Sequence, residues 1–156
     1  MSEKYLIFGA TGSIGSSLSK QLKESGKEVH LVARNESEVK KISEELGCTF
    51  TVADVLENGF VDKVKAEVPD VKGIAYCVGS IVLKPLRMIK EDEFNQCMKL
   101  NCYSALEVIR GYQDSLKKSK GSVVLFSTVA VRRGFSNHGI IASAKAAVEG
   151  LTVSLA

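Results

Sequence analysis

Three glycines spaced three residues apart, Gly9, Gly12 and Gly15, lie in the stretch Phe8-Gly9-Ala10-Thr11-Gly12-Ser13-Ile14-Gly15. Glycines in such a run let the backbone turn sharply out of a strand and come within hydrogen-bonding reach of a pyrophosphate. A helix that starts there adds unpaired N–H groups and a partial positive charge facing the anion. The same triplet can also be a plain structural turn. What favours the anion reading is its setting, with the apolar run Leu6-Ile7-Phe8 before it and a helical stripe after it. Gly9, Thr11, Gly12, Ser13, Ile14 and Gly15 are therefore the candidate phosphate-holding residues. A second position bears on which nucleotide is held. The stretch Val32-Ala33-Arg34-Asn35 has no acid until Glu36. A carboxylate there would pair with ribose hydroxyls, whereas the Arg34 guanidinium can make a forked contact to a 2′-phosphate, favouring NADP(H) over NAD(H). The alternative is a solvated arginine at a strand end.

The elements that would position these residues alternate along the chain. Leu6 to Phe8 reads as a buried strand, and Ile14, Leu18 and Leu22 recur every four residues in a helix that stops near Gly26. Val29 to Ala33 is a second strand, followed by a helix marked by Val39, Ile42 and Leu46 and closed by Gly47. Cys48 to Ala53 is a third strand ending at Asp54, and Phe60, Val61, Val64 and Val68 mark a third helix before Pro69. Gly73 to Val78 is a fourth strand ending at Gly79. Met98, Cys102, Ala105, Leu106 and Ile109 form one face of a long helix, Ser122 to Phe126 a fifth strand, and Ala144, Ala147, Val148, Leu151 and Leu155 the face of a last helix. Strands apolar on both faces, alternating with helices, require a parallel sheet covered on both sides. The expected fold is a three-layer α/β/α, Rossmann-like doubly wound sheet, with residues 1–156 forming a single nucleotide-binding domain.

Composition narrows the function classes. The 156 residues are 45% hydrophobic and 25% charged, an ordinary globular balance, and the net charge of +3 is too small to argue for nucleic acid. Cys48, Cys77, Cys97 and Cys102 form no CxxC pair and read as reduced thiols beside apolar stretches rather than as metal ligands. No stretch reads as a signal peptide or a membrane span, so a cytoplasmic protein is the default expectation.

Together these residues resemble the short-chain dehydrogenase/reductase family, over essentially the whole chain. The glycine spacing is similar to the family's extended branch. Asp54-Val55 resembles the adenine-contacting position, and Cys77-Val78-Gly79 stands where the family usually has Asn-Ala-Gly. Asn101, in Lys-Leu-Asn-Cys-Tyr, matches the helix asparagine that helps hold a water in the proton relay. The stretch from Gly121 to Ala156 is similar to the fifth strand and following helix of the main branch. The resemblance implies that Lys145 holds the nicotinamide ribose and lowers the pKa of a tyrosine four residues before it, with a serine orienting the substrate carbonyl. Here Ile141 occupies the tyrosine position and Thr128 the serine position, beside Ser127. His138 is the one nearby replacement acid, and otherwise a polar loop residue.

The family pattern normally continues beyond this helix, so the fold is expected to be shortened at its C-terminal side, with the fifth strand as an open sheet edge. Two functions follow. One is an NADP(H)-dependent oxidoreductase moving hydride between nicotinamide and a small carbonyl or alcohol, impaired by Ile141. The other is a non-catalytic NADP(H)-binding or sensing module. A remnant whose glycine turn is only structural is a third. Relatives use the equivalent long helices for subunit contacts, so the resemblance also implies a homo-oligomer.

Overall fold

The computed structural model describes residues 4–156. Five strands are ordered β3-β2-β1-β4-β5 in one sheet, with β1 Lys4–Phe8, β2 Glu28–Ala33, β3 Thr49–Val52, β4 Gly73–Tyr76 and β5 Ser122–Leu125. The pairs β1–β2, β1–β4 and β2–β3 are parallel, with Phe8 opposite Val32 on one side and Tyr76 on the other. Helices α1 Ser13–Glu24, α2 Glu36–Leu46 and α3 Phe60–Glu67 connect the first four strands. The order reverses direction at β1, and the gap outside the carboxyl ends of β1 and β4 is the switch point where such sheets bind ligands.

The chain divides into two compact units. The first comprises residues 1–78 and 107–124. Its centre is β1, where Leu6, Ile7 and Phe8 are all buried, so both faces of the strand meet apolar neighbours. On one face Ile7, Val29, Leu31, Ala33 and Ala75 pack with Val39, Leu18 and Leu22. Elsewhere in this core Phe8 meets the edge of the Phe60 ring and tilts against Tyr76. Local signals set the helix limits: the Asn35 side chain accepts from the Glu38 N–H to begin α2, and Gly47 ends it in the left-handed conformation.

The second unit comprises residues 79–106 and 125–156. It contains α4 Glu91–Met98, a π-helical turn Lys99–Tyr103, the start of α5 Ser104–Ser119, and α6 Gly139–Leu155. Cys97, Ile140, Ile141 and Ala144 are its buried core, packed with Val82, Ile89, Phe94 and Met98.

The α/β order and the five-stranded parallel sheet match the sequence reading, with differences in detail. Strands β3, β4 and β5 are shorter at their ends than expected. The α1 stripe is offset: Ile14 is 53% exposed, while Gly15 and Ser19 are buried, because Gly15 must press on the turn before it. The long-helix stripe is offset as well. Cys97, Asn101, Ser104, Ala105, Val108 and Tyr112 are buried, and of the expected face only Ala105 is. A polar residue on the buried face and an extra residue in the π turn both defeat a strict 3.6-residue period. β5 is half exposed, with Val124 facing out, as an edge strand permits.

Candidate functional site

The first group of predicted residues is built from backbone. The Gly9 and Ala10 N–H groups both donate to the Val32 carbonyl, and the Cys77 N–H donates to the Phe8 carbonyl. This ties the ends of β1, β2 and β4 together at the turn. Gly9 has φ +74, and a methyl on it would lie 2.9 Å from the Cys77 carbonyl carbon and the Val78 nitrogen. A methyl on Gly15 would lie 2.3 Å from the Gly9 carbonyl oxygen. Only glycine satisfies either position, so Gly9, Gly15, Cys77 and Val78 do come together as one tight cradle. Gly12 is the residue before α1 and offers no side-chain cap, no acid stands in the first turn, and Ser13 and Ile14 are exposed. The first N–H groups of α1 therefore face outward beside the turn, with Thr11 partly buried in it.

Arg34 is exposed at the end of β2 and makes no ion pair among the described residues. Asp54 uses one carboxylate oxygen to accept from the Leu56 N–H at 2.9 Å, which holds the turn after β3, and Val55 is buried beneath it. Burial pushes the Cys77 thiol up to about 11, so it is a neutral, inert thiol rather than a nucleophile.

The second group is built from side chains. Asn101, 1% exposed, sits inside the π turn. Its Nδ2 donates to the Cys97 carbonyl at 3.0 Å and approaches Cys97 Sγ at 3.3 Å. Its Oδ1 has no hydrogen-bond partner among the described residues. A methyl placed on Gly79 would lie 3.0 Å from that Oδ1 and 3.7 Å from Lys145 Nζ. Gly79, Asn101 and Lys145 thus lie close together, and a donor is needed there to satisfy a buried acceptor. Burial holds the Lys145 ammonium below its ordinary pKa, while the nearby Cys97 and Cys102 thiols oppose the shift.

The remaining candidates are placed individually. Thr128 Oγ1 accepts from the Ala130 N–H at 3.3 Å and begins a short 3-10 turn, which leaves its O–H as a donor. Ser127 donates to Glu149 Oε1 at 2.7 Å, so its hydroxyl is committed, and Arg132 donates to Glu149 Oε2 at 3.0 Å. The His138 ring nitrogen Nδ1 donates to the Ser136 carbonyl at 2.7 Å at the start of α6. Ile141, one turn before Lys145, is 3% exposed in an apolar cluster that includes Ile140, Ala144, Phe94 and Cys97. The Ser127–Glu149–Arg132 cluster was not apparent from sequence, because Glu149 lies 22 positions from Ser127 and 17 from Arg132.

A family model described as enoyl-(acyl carrier protein) reductase matches residues 9–156. The chain belongs to the short-chain dehydrogenase/reductase family. It is 32% identical over 165 residues to an uncharacterized oxidoreductase of Saccharomyces cerevisiae, covering 100% of this chain and 65% of that one. It is 26% identical over 163 residues to the 3-oxoacyl-[acyl-carrier-protein] reductase of Salmonella typhimurium, covering 97% of this chain and 65% of the relative. Its fold matches that of an alcohol dehydrogenase from Thermococcus sibiricus, solved with 5-hydroxy-NADP. The TM-score is 0.91 at 24% identity, over 99% of this chain and 70% of that one. This short-chain dehydrogenase/reductase chain thus spans about two thirds of the length of these relatives. The family is one of NAD(P)-dependent oxidoreductases. Among the described residues no helix is long and apolar enough to cross a membrane, and no cluster of three His, Cys, Asp or Glu side chains could hold a metal.

Proposed function

We propose that this chain binds NADP(H) and, as a short-chain reductase, supports hydride exchange with a small carbonyl or alcohol only slowly. The observation that carries the proposal is the cradle at Gly9 and Gly15, where a single Cβ would collide with backbone. Bare N–H groups at the start of α1 beside such a cradle fit a pyrophosphate. The unpaired Arg34 fits a 2′-phosphate, and Asp54 and Val55 fit the adenine. The relative from Thermococcus sibiricus, solved with 5-hydroxy-NADP, supports the same preference.

When bound, the nicotinamide supplies the hydride. The chain's own residues bind, orient and move protons. Lys145 Nζ would hold a ribose hydroxyl, and the free Thr128 O–H would donate to a substrate oxygen. The unpartnered Asn101 Oδ1 would fix a water at the spot beside Gly79. At Ile141, one turn before Lys145, the family's phenolic proton donor has no counterpart. Loss of a general acid costs about two to four orders of magnitude in rate. The burial of Ile141 in an apolar core gives specific support to a second reading, a nucleotide-binding module without efficient turnover.

Titration with NADPH and NADH, followed by nucleotide fluorescence and thermal unfolding together, tests the proposal. A ligand that binds only the folded chain stabilises it by about 2.7 kcal/mol at a hundredfold excess over its Kd. We expect NADPH to bind more tightly than NADH, and Arg34→Ala to weaken NADPH by about tenfold while leaving NADH unchanged. Binding of neither nucleotide overturns the proposal.

A further inference from the structure

We propose that Lys145 is a site of covalent aldehyde capture, its Nζ forming a Schiff base with small aldehydes. The inference does not depend on nucleotide binding. Three features of the second unit set this amine apart. First, no hydrogen bond or carboxylate reaches Lys145 Nζ among the described residues. The acid best placed to pair with it along α6 is Glu149, one turn on, and both oxygens of Glu149 are already taken by Ser127 and Arg132. Second, the surroundings of the amine are poor in charge. Cys97 of α4 and Cys102 of the π turn act on it electrostatically, burial pushes both thiols up, and no carboxylate acts on it. Ala144 and Ile141 precede it on the helix and are buried. Third, the amine is reachable, because Lys145 is only half-buried and its Nζ lies 3.7 Å from where a methyl on the exposed Gly79 would stand.

A half-buried lysine without a counter-charge favours the neutral amine, and the neutral amine is the nucleophile. The direction of the Lys145 shift agrees with this. The chemistry balances without an oxidant or reductant. The Nζ lone pair attacks the aldehyde carbon, a C–N bond forms, and the carbonyl π pair moves to oxygen. A proton passes from nitrogen to that oxygen, giving a carbinolamine. Loss of water then leaves the imine.

The test uses the intact chain with propanal as probe. Sodium cyanoborohydride traps any imine as a stable secondary amine, and peptide mass spectrometry reads the alkylated fraction at every lysine. At about pH 7.5 Lys145 is expected to be alkylated severalfold more than the exposed Lys20 and Lys118. The excess is expected to shrink by about pH 10.5, where exposed amines also lose their protons. It is also expected to disappear in urea, where the fold no longer desolvates the amine. Alkylation of Lys145 no greater than that of the exposed lysines at the lower pH overturns the inference, as does a preference that survives unfolding.

Discussion

The cradle at Gly9 and the lysine site at Lys145 are held together in opposite ways. The first is made of backbone: two N–H groups share the Val32 carbonyl, Cys77 N–H meets Phe8, and the side chains involved are mostly absent ones. The second is made of side chains, a buried asparagine with one bonded and one orphaned end beside a half-desolvated amine. A backbone site is specified by which residues cannot be there, and a few glycines suffice to encode it. A side-chain site needs each residue to be right. One exchange of side chain can remove a function while the packing around it stays sound.

The sharpest way to break the comparison is at the backbone site. Gly15→Val would drive side-chain carbons into the Gly9 carbonyl, a contact the turn cannot yield to without losing its shape. Unfolding measurements should show a loss of more than about 3 kcal/mol, with nucleotide binding abolished even in whatever fraction stays folded. Full stability and undiminished NADPH affinity in this variant would show the cradle to be plastic, against the contrast drawn above.

Acid tests the first unit in a different way. His30 is buried in β2, with Nδ1 2.7 Å from Thr49 Oγ1 and Nε2 2.8 Å from Thr51 Oγ1. Thr51 donates its own proton to Glu67 at 3.0 Å, so it must accept from Nε2–H, and Nδ1 accepts from Thr49. The ring is neutral, and burial lowers its pKa from 6.5 to about 4, with Glu67 opposing and Lys4 adding to the shift. Above pH 6.5 the folded and unfolded chains bind the same number of protons at this site. Below it the unfolded chain takes up a proton that the folded one refuses, so stability falls as pH drops toward about 4. The loss attributable to His30 should reach about 3 kcal/mol. Denaturant melts of the wild-type chain and His30→Gln across that range isolate it: parallel pH profiles for the two would refute the assignment.

The smallest effect is expected at the side-chain site. Ile141→Tyr adds a ring and a hydroxyl to a buried apolar core, and unfolding should show a cost of about 1–3 kcal/mol with the fold retained. A variant as stable as the parent would mean that the core around Ile141 has room for the phenol, and the comparison would soften.

Much of the first unit was legible in the sequence. Gly9, Gly12 and Gly15 announced a tight turn, and runs such as Leu6-Ile7-Phe8 announced strands covered on both faces, because these patterns follow from backbone geometry and burial alone. The second unit was harder to read. The face of the long helix was misplaced because Asn101 and Ser104 are polar yet buried, and the π turn shifts the register between α4 and α5. Ile14 was counted toward a buried stripe that in fact runs through Gly15 and Ser19.

What the sequence by itself determined is the α/β order, the parallel sheet and the place of the glycine cradle, since each depends on local periodicity or on the absence of a side chain. Only the tertiary structure decided the partners. Glu149 pairs with Ser127 and Arg132 rather than with Lys145, the hydroxyl of Ser127 is spent while that of Thr128 keeps its proton to give, and Asn101 keeps one end unsatisfied. Which polar groups meet Glu149 is set by residues 17 and 22 positions away and by how much water each retains, and no local spacing records either.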